Sequence, residues 1–249
     1  MTQLSGKVVV VTGAESGIGR AIARSCAAAG ASVVASGIAE SALNETAEQI
    51  KRAGGEARAF VCDVRDEVRL SALFAEATRA YGHLDAAVAN AGMIGSQEAL
   101  ISMKPDTFRA MLETNLVGAF LTIQAAARVL IEQGRGGSII ATGSSSVLRP
   151  APRLAAYAAS KGGVHSMMQS IAVELAPHKI RVNTLVPGTT ATDATRALPG
   201  YLEKVAAQLP LGEVVTVEEL GEYAAFVLSD ACPHLTGALL KLDSGRTIG

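Results

Sequence analysis

Tyr157 and Lys161 stand four residues apart in a stretch, 155–176, that reads as a helix, so their side chains share one face. An ammonium beside a phenol favours the phenolate and draws its pKa down from about 10 toward neutrality. Tyr157 is therefore a candidate acid/base group at working pH. Taken alone, Tyr-x-x-x-Lys also fits a solvated helix face. Ser144 follows a strand-like run, Ser138 to Thr142, and its hydroxyl can point into the same cleft. Ser145 and Ser146 beside it also fit a plain serine turn. Asn115 interrupts the apolar stripe of a long helical stretch, where asparagine is a poor helix former and costly to bury unpaired. It reads either as part of a site or as a core asparagine satisfied by backbone groups.

Groups like these need a frame, and the frame starts at Lys7 to Arg20. Val8 to Thr12 is β-branched without a break, as expected of a strand buried on both faces. Glycines follow at 13, 17 and 19, and Arg20 to Gly30 is an alanine-rich helix ended by glycine. The order is strand, glycine turn, helix. A helix N-terminus offers free N–H groups and a positive dipole end, and glycine lets an anion come close. The natural anion is the pyrophosphate of a dinucleotide. The spacing is Gly-x-x-x-Gly-x-Gly, and a tight turn without a ligand is the plain alternative.

The totals narrow the field. A chain of 249 residues can bury one large α/β core. Its net charge of -1 gives no basic excess to attract nucleic acid or anionic lipid, and neither partner is expected. Mean hydropathy is high at +0.30, much of it from alanine. No run of about 18 apolar residues occurs, so no transmembrane helix is expected. The opening Met-Thr-Gln-Leu-Ser-Gly-Lys has no apolar leader. Cys26, Cys62 and Cys232 are odd in number and lack metal-type spacing. They read as small buried hydrophobes in a reducing compartment, with no metal site, and the expected location is cytoplasmic. The apolar excess points to surface buried between subunits.

Further along, strands are expected at 32–38, 57–61, 84–89, 138–142, 181–186 and 238–242. Helices are expected at 40–53, 66–81, 105–133, 155–176 and 216–228, with irregular or short helical structure at 188–213. The long helix would bury Met111, Leu112, Leu116, Ala119, Phe120, Ile123, Ala127 and Leu130. Alternating strands and helices imply a doubly wound α/β fold, one domain over 1–249, with a seven-stranded parallel sheet flanked by helices on both faces. In such a sheet ligands sit beyond the carboxyl ends of the strands. That rule gathers Gly13 to Gly19, Ile38, Asp63, Asn90 to Gly92, Ser144 and Pro187-Gly188 into one cleft.

Here the chain resembles the short-chain dehydrogenase/reductase family along its whole length. The matching pieces are Thr12-Gly13-Ala14-Glu15-Ser16-Gly17-Ile18-Gly19, Asp63-Val64, Asn90-Ala91-Gly92, Asn115, Ser144, Tyr157-x-x-x-Lys161 and Pro187-Gly188. The resemblance implies a Rossmann-type oxidoreductase that passes a hydride between a nicotinamide cofactor and a ketone or secondary alcohol. Tyr157 would pass a proton to or from the substrate oxygen, and Ser144 would hydrogen-bond that oxygen. Lys161 would hold the nicotinamide ribose and tune Tyr157. Asn115 would hold a water linking Lys161 to solvent. Gly13, Glu15, Ser16, Gly17, Ile18 and Gly19 would line the pyrophosphate. Asp63 and Val64 would hold the adenine, and Asn90, Ala91 and Gly92 the adenosine ribose. Pro187, Gly188 and Thr190 would also bind the cofactor, and Thr192 would reach its phosphate or carboxamide, with 188–213 as a substrate-side lid. A homotetramer is expected, with a dimer as the alternative. A dehydratase or epimerase on the same fold, or a non-catalytic nucleotide sensor, is the rival reading of the whole.

At the end of strand two, where an acidic residue would bind the ribose 2′-OH and a basic one a 2′-phosphate, stand Gly37 and Ile38. Neither is charged. A 2′-phosphate has no visible partner and Glu15 would repel it, so the lean is to NAD over NADP. A carboxylate introduced as Gly37→Asp would be expected to tighten NAD. His165, one turn beyond Lys161, reads as packing or a subunit contact. Met93, Ile94, Leu148, Pro150 and Leu154 are candidate walls of a mostly apolar substrate pocket. Arg149, Arg153 and Arg196 read as solvated surface residues.

Overall fold

The computed structural model describes residues 4–95 and 97–249; Met1 to Gln3, at the start of the stretch read for a leader, lie outside it. Nine strands and nine helices are introduced here in chain order. They are β1 Val8–Thr12, α1 Gly17–Ala28, β2 Ser32–Gly37, α2 Glu40–Arg52, β3 Glu56–Val61, α3 Glu67–Tyr81 and β4 Ala86–Ala89. There follow α4 Pro105–Leu112, α5 Gly118–Gln133, β5 Gly137–Thr142, α6 Ala155–Leu175 and β6 Ile180–Pro187. The chain closes with β7 Thr190–Ala191, α7 Asp193–Arg196, α8 Tyr201–Ala206, β8 Val215–Thr216, α9 Val217–Leu228 and β9 Leu239–Leu242.

The main sheet has seven strands in the order β3-β2-β1-β4-β5-β6-β9, all paired in parallel. Alternate residues of each strand face opposite layers. Val9, Val11, Val33, Ala35 and Ile140 pack under α1, α2 and α9. Val8, Val10, Val34, Ile139 and Ala141 pack under α3, α5 and α6. Strand order reverses between β1 and β4, so the crevice lies at their carboxyl ends.

One expected element is broken. The helix over 105–133 is not continuous, because a π-helical turn at Glu113–Val117 separates α4 from α5. The wider turn shifts the buried face to Met111, Asn115, Ala119, Ile123, Ala126 and Leu130. Phe120, expected in the core, is exposed instead. The whole segment is long and apolar enough to cross a bilayer by length and composition, yet here one face of α5 packs on the sheet through Ala119, Ile123 and Leu130. Residues 188–213 hold β7, α7 and α8, and β7 pairs with β8 as a separate two-stranded sheet.

Candidate active site

A cavity of about 650 Å³ runs along the carboxyl ends of β1, β2, β3, β4 and β5. Its floor at one end is the glycine loop. Gly13 has φ of +66°, and a Cβ there would lie 2.8 Å from the Ala91 Cα. A Cβ on Gly19 would lie 2.0 Å from the Gly13 carbonyl oxygen. Only glycine lets the loop settle on β4 and leave room above it. α1 then begins at Gly17, and the Ser16 side chain makes no capping hydrogen bond. Its first N–H groups are thus left for a ligand, and an anion fits them. Gly13, Ser16, Gly17, Ile18 and Gly19 all line the cavity.

Asn90 ties this loop to the rest of the site. Its Nδ2 donates to the carbonyl oxygens of Thr12 (3.1 Å) and Gly13 (3.3 Å), and its Oδ1 accepts from the Thr142 hydroxyl at 3.0 Å. The Thr142 carbonyl in turn accepts from Lys161 Nζ at 2.8 Å. Asn90 therefore lines the cavity with its amide already committed to β1 and β5. Ala91 and Gly92 continue the wall.

Lys161 is buried, and desolvation pushes its pKa down to about 8. Four residues before it stands Tyr157, whose hydroxyl has that of Ser144 as its polar neighbour. The expected fall in the Tyr157 pKa is not found: burial raises it above 10, and the Ser144 hydroxyl offsets this only in part. Lys161 directs its ammonium at the Thr142 carbonyl, and burial is the largest influence on Tyr157. The phenol keeps its proton, which suits a proton donor.

Ser144 is fixed from three sides. Its hydroxyl accepts from Ser146 N–H at 3.2 Å and lies 2.8 Å from the Ser146 hydroxyl. Its own backbone N–H donates to His165 Nε2 at 3.2 Å. Burial and the nearby Lys161 charge hold the His165 pKa below 6.5, so the ring is neutral with its proton on Nδ1. His165 packs, as expected, but against the backbone of Ser144.

Asn115 fulfils the core reading of its side chain. Its amide pairs with the Met93 backbone twice, accepting from N–H and donating to the carbonyl, both at 2.8 Å. It also donates to Ser160 Oγ at 3.1 Å, and Ser160 donates to the Tyr157 carbonyl at 2.7 Å. The side chain thus stitches the loop after β4 to the helix of Tyr157 and Lys161.

At the far end of the cavity stand Glu15, Gly37, Ile38, Asp63, Val64 and Arg65. Arg65 grips the Asp63 carboxylate with Nε at 3.0 Å and Nη2 at 2.5 Å, and this pair holds the Asp63 pKa below its usual range. At Gly37, where a carboxylate is expected to improve NAD binding, the Glu15 carboxylate already stands. A Cβ there would lie 2.1 Å from Glu15 Oε2, so Gly37→Asp would set two carboxylates against each other. Thr192 lines the roof; its Cγ2 stands 3.6 Å from where a Gly17 Cβ would be.

Pro187, Gly188 and Thr190 lie outside the cavity lining. A Cβ on Gly188 would meet Asp243 at 2.6 Å, and the Thr190 hydroxyl turns back to the Gly188 carbonyl. Arg149 is not simply solvated: it donates to the Arg246 carbonyl at 2.9 Å, and Arg246 donates to the Ser145 hydroxyl at 2.9 Å. The lining also includes Cys62, Thr114 and Thr142. Thr142 was within reach of the strand-end rule; Thr114 enters through the π turn, which no sequence signal marked.

The chain is similar along its length to known proteins. A family model described as Enoyl-(Acyl carrier protein) reductase matches residues 13–247. The chain is 41% identical to the L-rhamnose 1-dehydrogenase (NAD(P)(+)) of Azotobacter vinelandii, over 97% of each. It is 34% identical to the 2,5-dichloro-2,5-cyclohexadiene-1,4-diol dehydrogenase of Sphingobium indicum, over 99% of each. Among solved structures, carveol dehydrogenase from Mycobacterium avium in complex with NAD superposes with a TM-score of 0.92 at 28% identity, covering all of both chains. A short-chain type dehydrogenase/reductase from Mycobacterium marinum gives 0.94 at 37% identity, covering 100% of this chain and 98% of that one.

Proposed function

The chain belongs to the short-chain dehydrogenase/reductase family and is an NAD(P)-dependent oxidoreductase acting on CH–OH groups, and on that premise we propose that its substrate is a secondary alcohol borne on a ring, or the matching ketone. The observation that carries the reading is the grouping of Ser144, Tyr157 and Lys161, with the Ser144 hydroxyl beside that of Tyr157 and Lys161 one helical turn on. Met93 and Ile94, exposed in the cavity wall, form an apolar rim. The relatives named for rhamnose, a cyclohexadienediol and carveol act on ring alcohols.

The cofactor, when bound, supplies or takes up the hydride. The free N–H groups at the start of α1 would hold its pyrophosphate, and Asp63 and Val64 its adenine. Ser144 and Tyr157 donate to the carbonyl oxygen of the substrate, and Tyr157 gives it a proton as the alcohol forms. In the reverse direction Tyr157 must first lose its proton. The ammonium of Lys161 has two N–H bonds beyond the one on Thr142, enough to hold ribose hydroxyls and favour the phenolate. Asn115 keeps Met93 and α6 in register, so that the two hydroxyls stay aligned.

We further infer a homotetramer in the cytoplasm. Exposed Phe120 and Ile131 on α5, Val173 on α6 and the free edge of β9 supply apolar and backbone surface for twofold contacts. Light scattering that finds only monomer at micromolar concentration overturns the assembly. For the substrate, L-rhamnose, cyclohexane-1,2-diol, cis-4-hydroxycyclohexanecarboxylate and a straight-chain alkan-2-ol should be offered with NAD and NADP, following absorbance of the reduced nicotinamide. Turnover of at least one ring alcohol above the open-chain one is expected; preference for the open chain overturns the proposal.

A further inference from the structure

We propose that Glu15, on the glycine loop, is the residue that reads the adenosine ribose and makes this enzyme select NAD over NADP. The proposal rests on the nicotinamide-binding reading above. Chemistry sits at the Tyr157 end of the cavity, so a bound dinucleotide must place its adenosine half at the other end, beyond β2 and β3. The last residue of β2 is Gly37, which has no side chain to offer. The Glu15 side chain fills that place from the neighbouring loop. A Cβ on Gly37 would fall 2.1 Å from Oε2, 2.5 Å from Cδ and 2.8 Å from Oε1 of Glu15. The acid has moved to a different element while its carboxylate stays at the end of β2.

Its pose is held. Arg20 hydrogen-bonds the Glu15 carbonyl oxygen and also donates to Thr46 Oγ1 at 3.0 Å, while Thr46 donates to the Ala14 carbonyl at 3.0 Å. At the exposed side, Glu15 Oε1 accepts the Ile38 N–H at 3.2 Å. That oxygen keeps a second lone pair. Oε2 is shielded from water and has no hydrogen-bond partner, a costly state for a carboxylate that a hydroxyl donor relieves. A ribose diol is such a donor, and the carboxylate torsion is soft enough to present either oxygen.

A 2′-phosphate finds the opposite environment. It would meet the Glu15 carboxylate directly, and like charges in a partly buried site repel strongly. The cations nearby are engaged: Arg20 by the loop backbone and Thr46, and Arg65 by Asp63. Ser36, the hydroxyl closest in sequence, is fully buried.

The test is dissociation constants for NADH and NADPH by nicotinamide fluorescence, and for ADP-ribose and its 2′-phosphate by calorimetry, in wild type, Glu15→Gln, Glu15→Arg, Glu15→Ala, Gly37→Ala and the Glu15→Ala/Gly37→Ala double variant. Wild type should favour NADH and ADP-ribose by tenfold or more. Glu15→Gln keeps the Ile38 contact and should shrink that ratio at least tenfold, and Glu15→Arg should invert it. Gly37→Ala should weaken NADH in wild type and have little effect in Glu15→Ala, because its added methyl acts only through the displaced carboxylate. A ratio unchanged in Glu15→Gln, or a wild type that prefers NADPH, overturns the role of Glu15 while leaving the enzyme an oxidoreductase. Wild type that binds none of the four ligands overturns the nicotinamide reading itself, and this proposal with it.

Discussion

His165 Nε2 accepts the backbone N–H of Ser144 at 3.2 Å, from a ring wedged so close beneath β5 that a Cβ on Gly143 would lie 2.3 Å from it. The acceptor role requires a neutral ring, and burial together with Lys161 keeps the His165 pKa below 6.5. Protonation would turn Nε2 into a donor facing another donor and push Ser144 from its place.

His165→Leu should therefore lower kcat by tenfold or more with nucleotide affinity nearly unchanged, since the orphaned Ser144 N–H costs about 1–3 kcal/mol. His165→Gln, which restores an acceptor, should recover part of the loss. In wild type an acid limb in kcat should appear on the acid side of 6.5 and vanish in His165→Gln. A pH profile identical in the two proteins counts against this role.

Tyr157→Phe removes the proton carrier and leaves the ring. Turnover should fall by about 10²–10⁴-fold, the usual worth of general acid–base catalysis, while NADH still binds. Steady-state rates and a fluorescence titration on the same preparation separate the two effects.

Lys161 makes stability depend on alkaline pH. Its pKa falls from 10.5 to about 8 on folding, on the order of 3 kcal/mol against the charged form. Below pH 8 both states hold the proton and the full penalty applies. Between about 8 and 10.5 the unfolded chain holds a proton that the native chain has lost, so stability rises with pH. Thermal unfolding of the ligand-free protein should show wild type gaining on Lys161→Met between pH 7 and 10. A difference that is flat with pH argues that Lys161 titrates normally.

Asn115→Leu strips both side-chain hydrogen bonds from the Met93 backbone and one from Ser160. A loss of about 2–4 kcal/mol in unfolding free energy is expected, at about 1 kcal/mol for each of the three hydrogen bonds. Chemical denaturation measures it; a loss under about 1 kcal/mol means that water replaces the amide.

The sheet and its strand-end cleft were legible in the sequence because both follow from local pattern. Val8 to Thr12 can only be a buried strand, and the glycines after it leave a helix N-terminus open. Tyr157 and Lys161 were legible through helical spacing. What spacing could not carry was direction. It placed an ammonium near a phenol but showed neither the Thr142 carbonyl that accepts from it nor the burial of the phenol, so the Tyr157 pKa was expected to fall and instead rises. The same gap hid the π turn, since Asn115 gains its place from the Met93 backbone, far off in sequence. Gly37 was noticed only as a missing charge; the charge proved to come from Glu15, twenty-two residues earlier, through a loop whose path no periodicity encodes.

Asn90 holds β1 and β5 together while standing on β4's end, and through Thr142 it meets the carbonyl that Lys161 grips. The nucleotide-binding end and the proton-handling end thus hang from one amide. They behave as one keystone: an exchange at position 90 loosens the seat of the glycine loop and the seat of the Lys161 ammonium together.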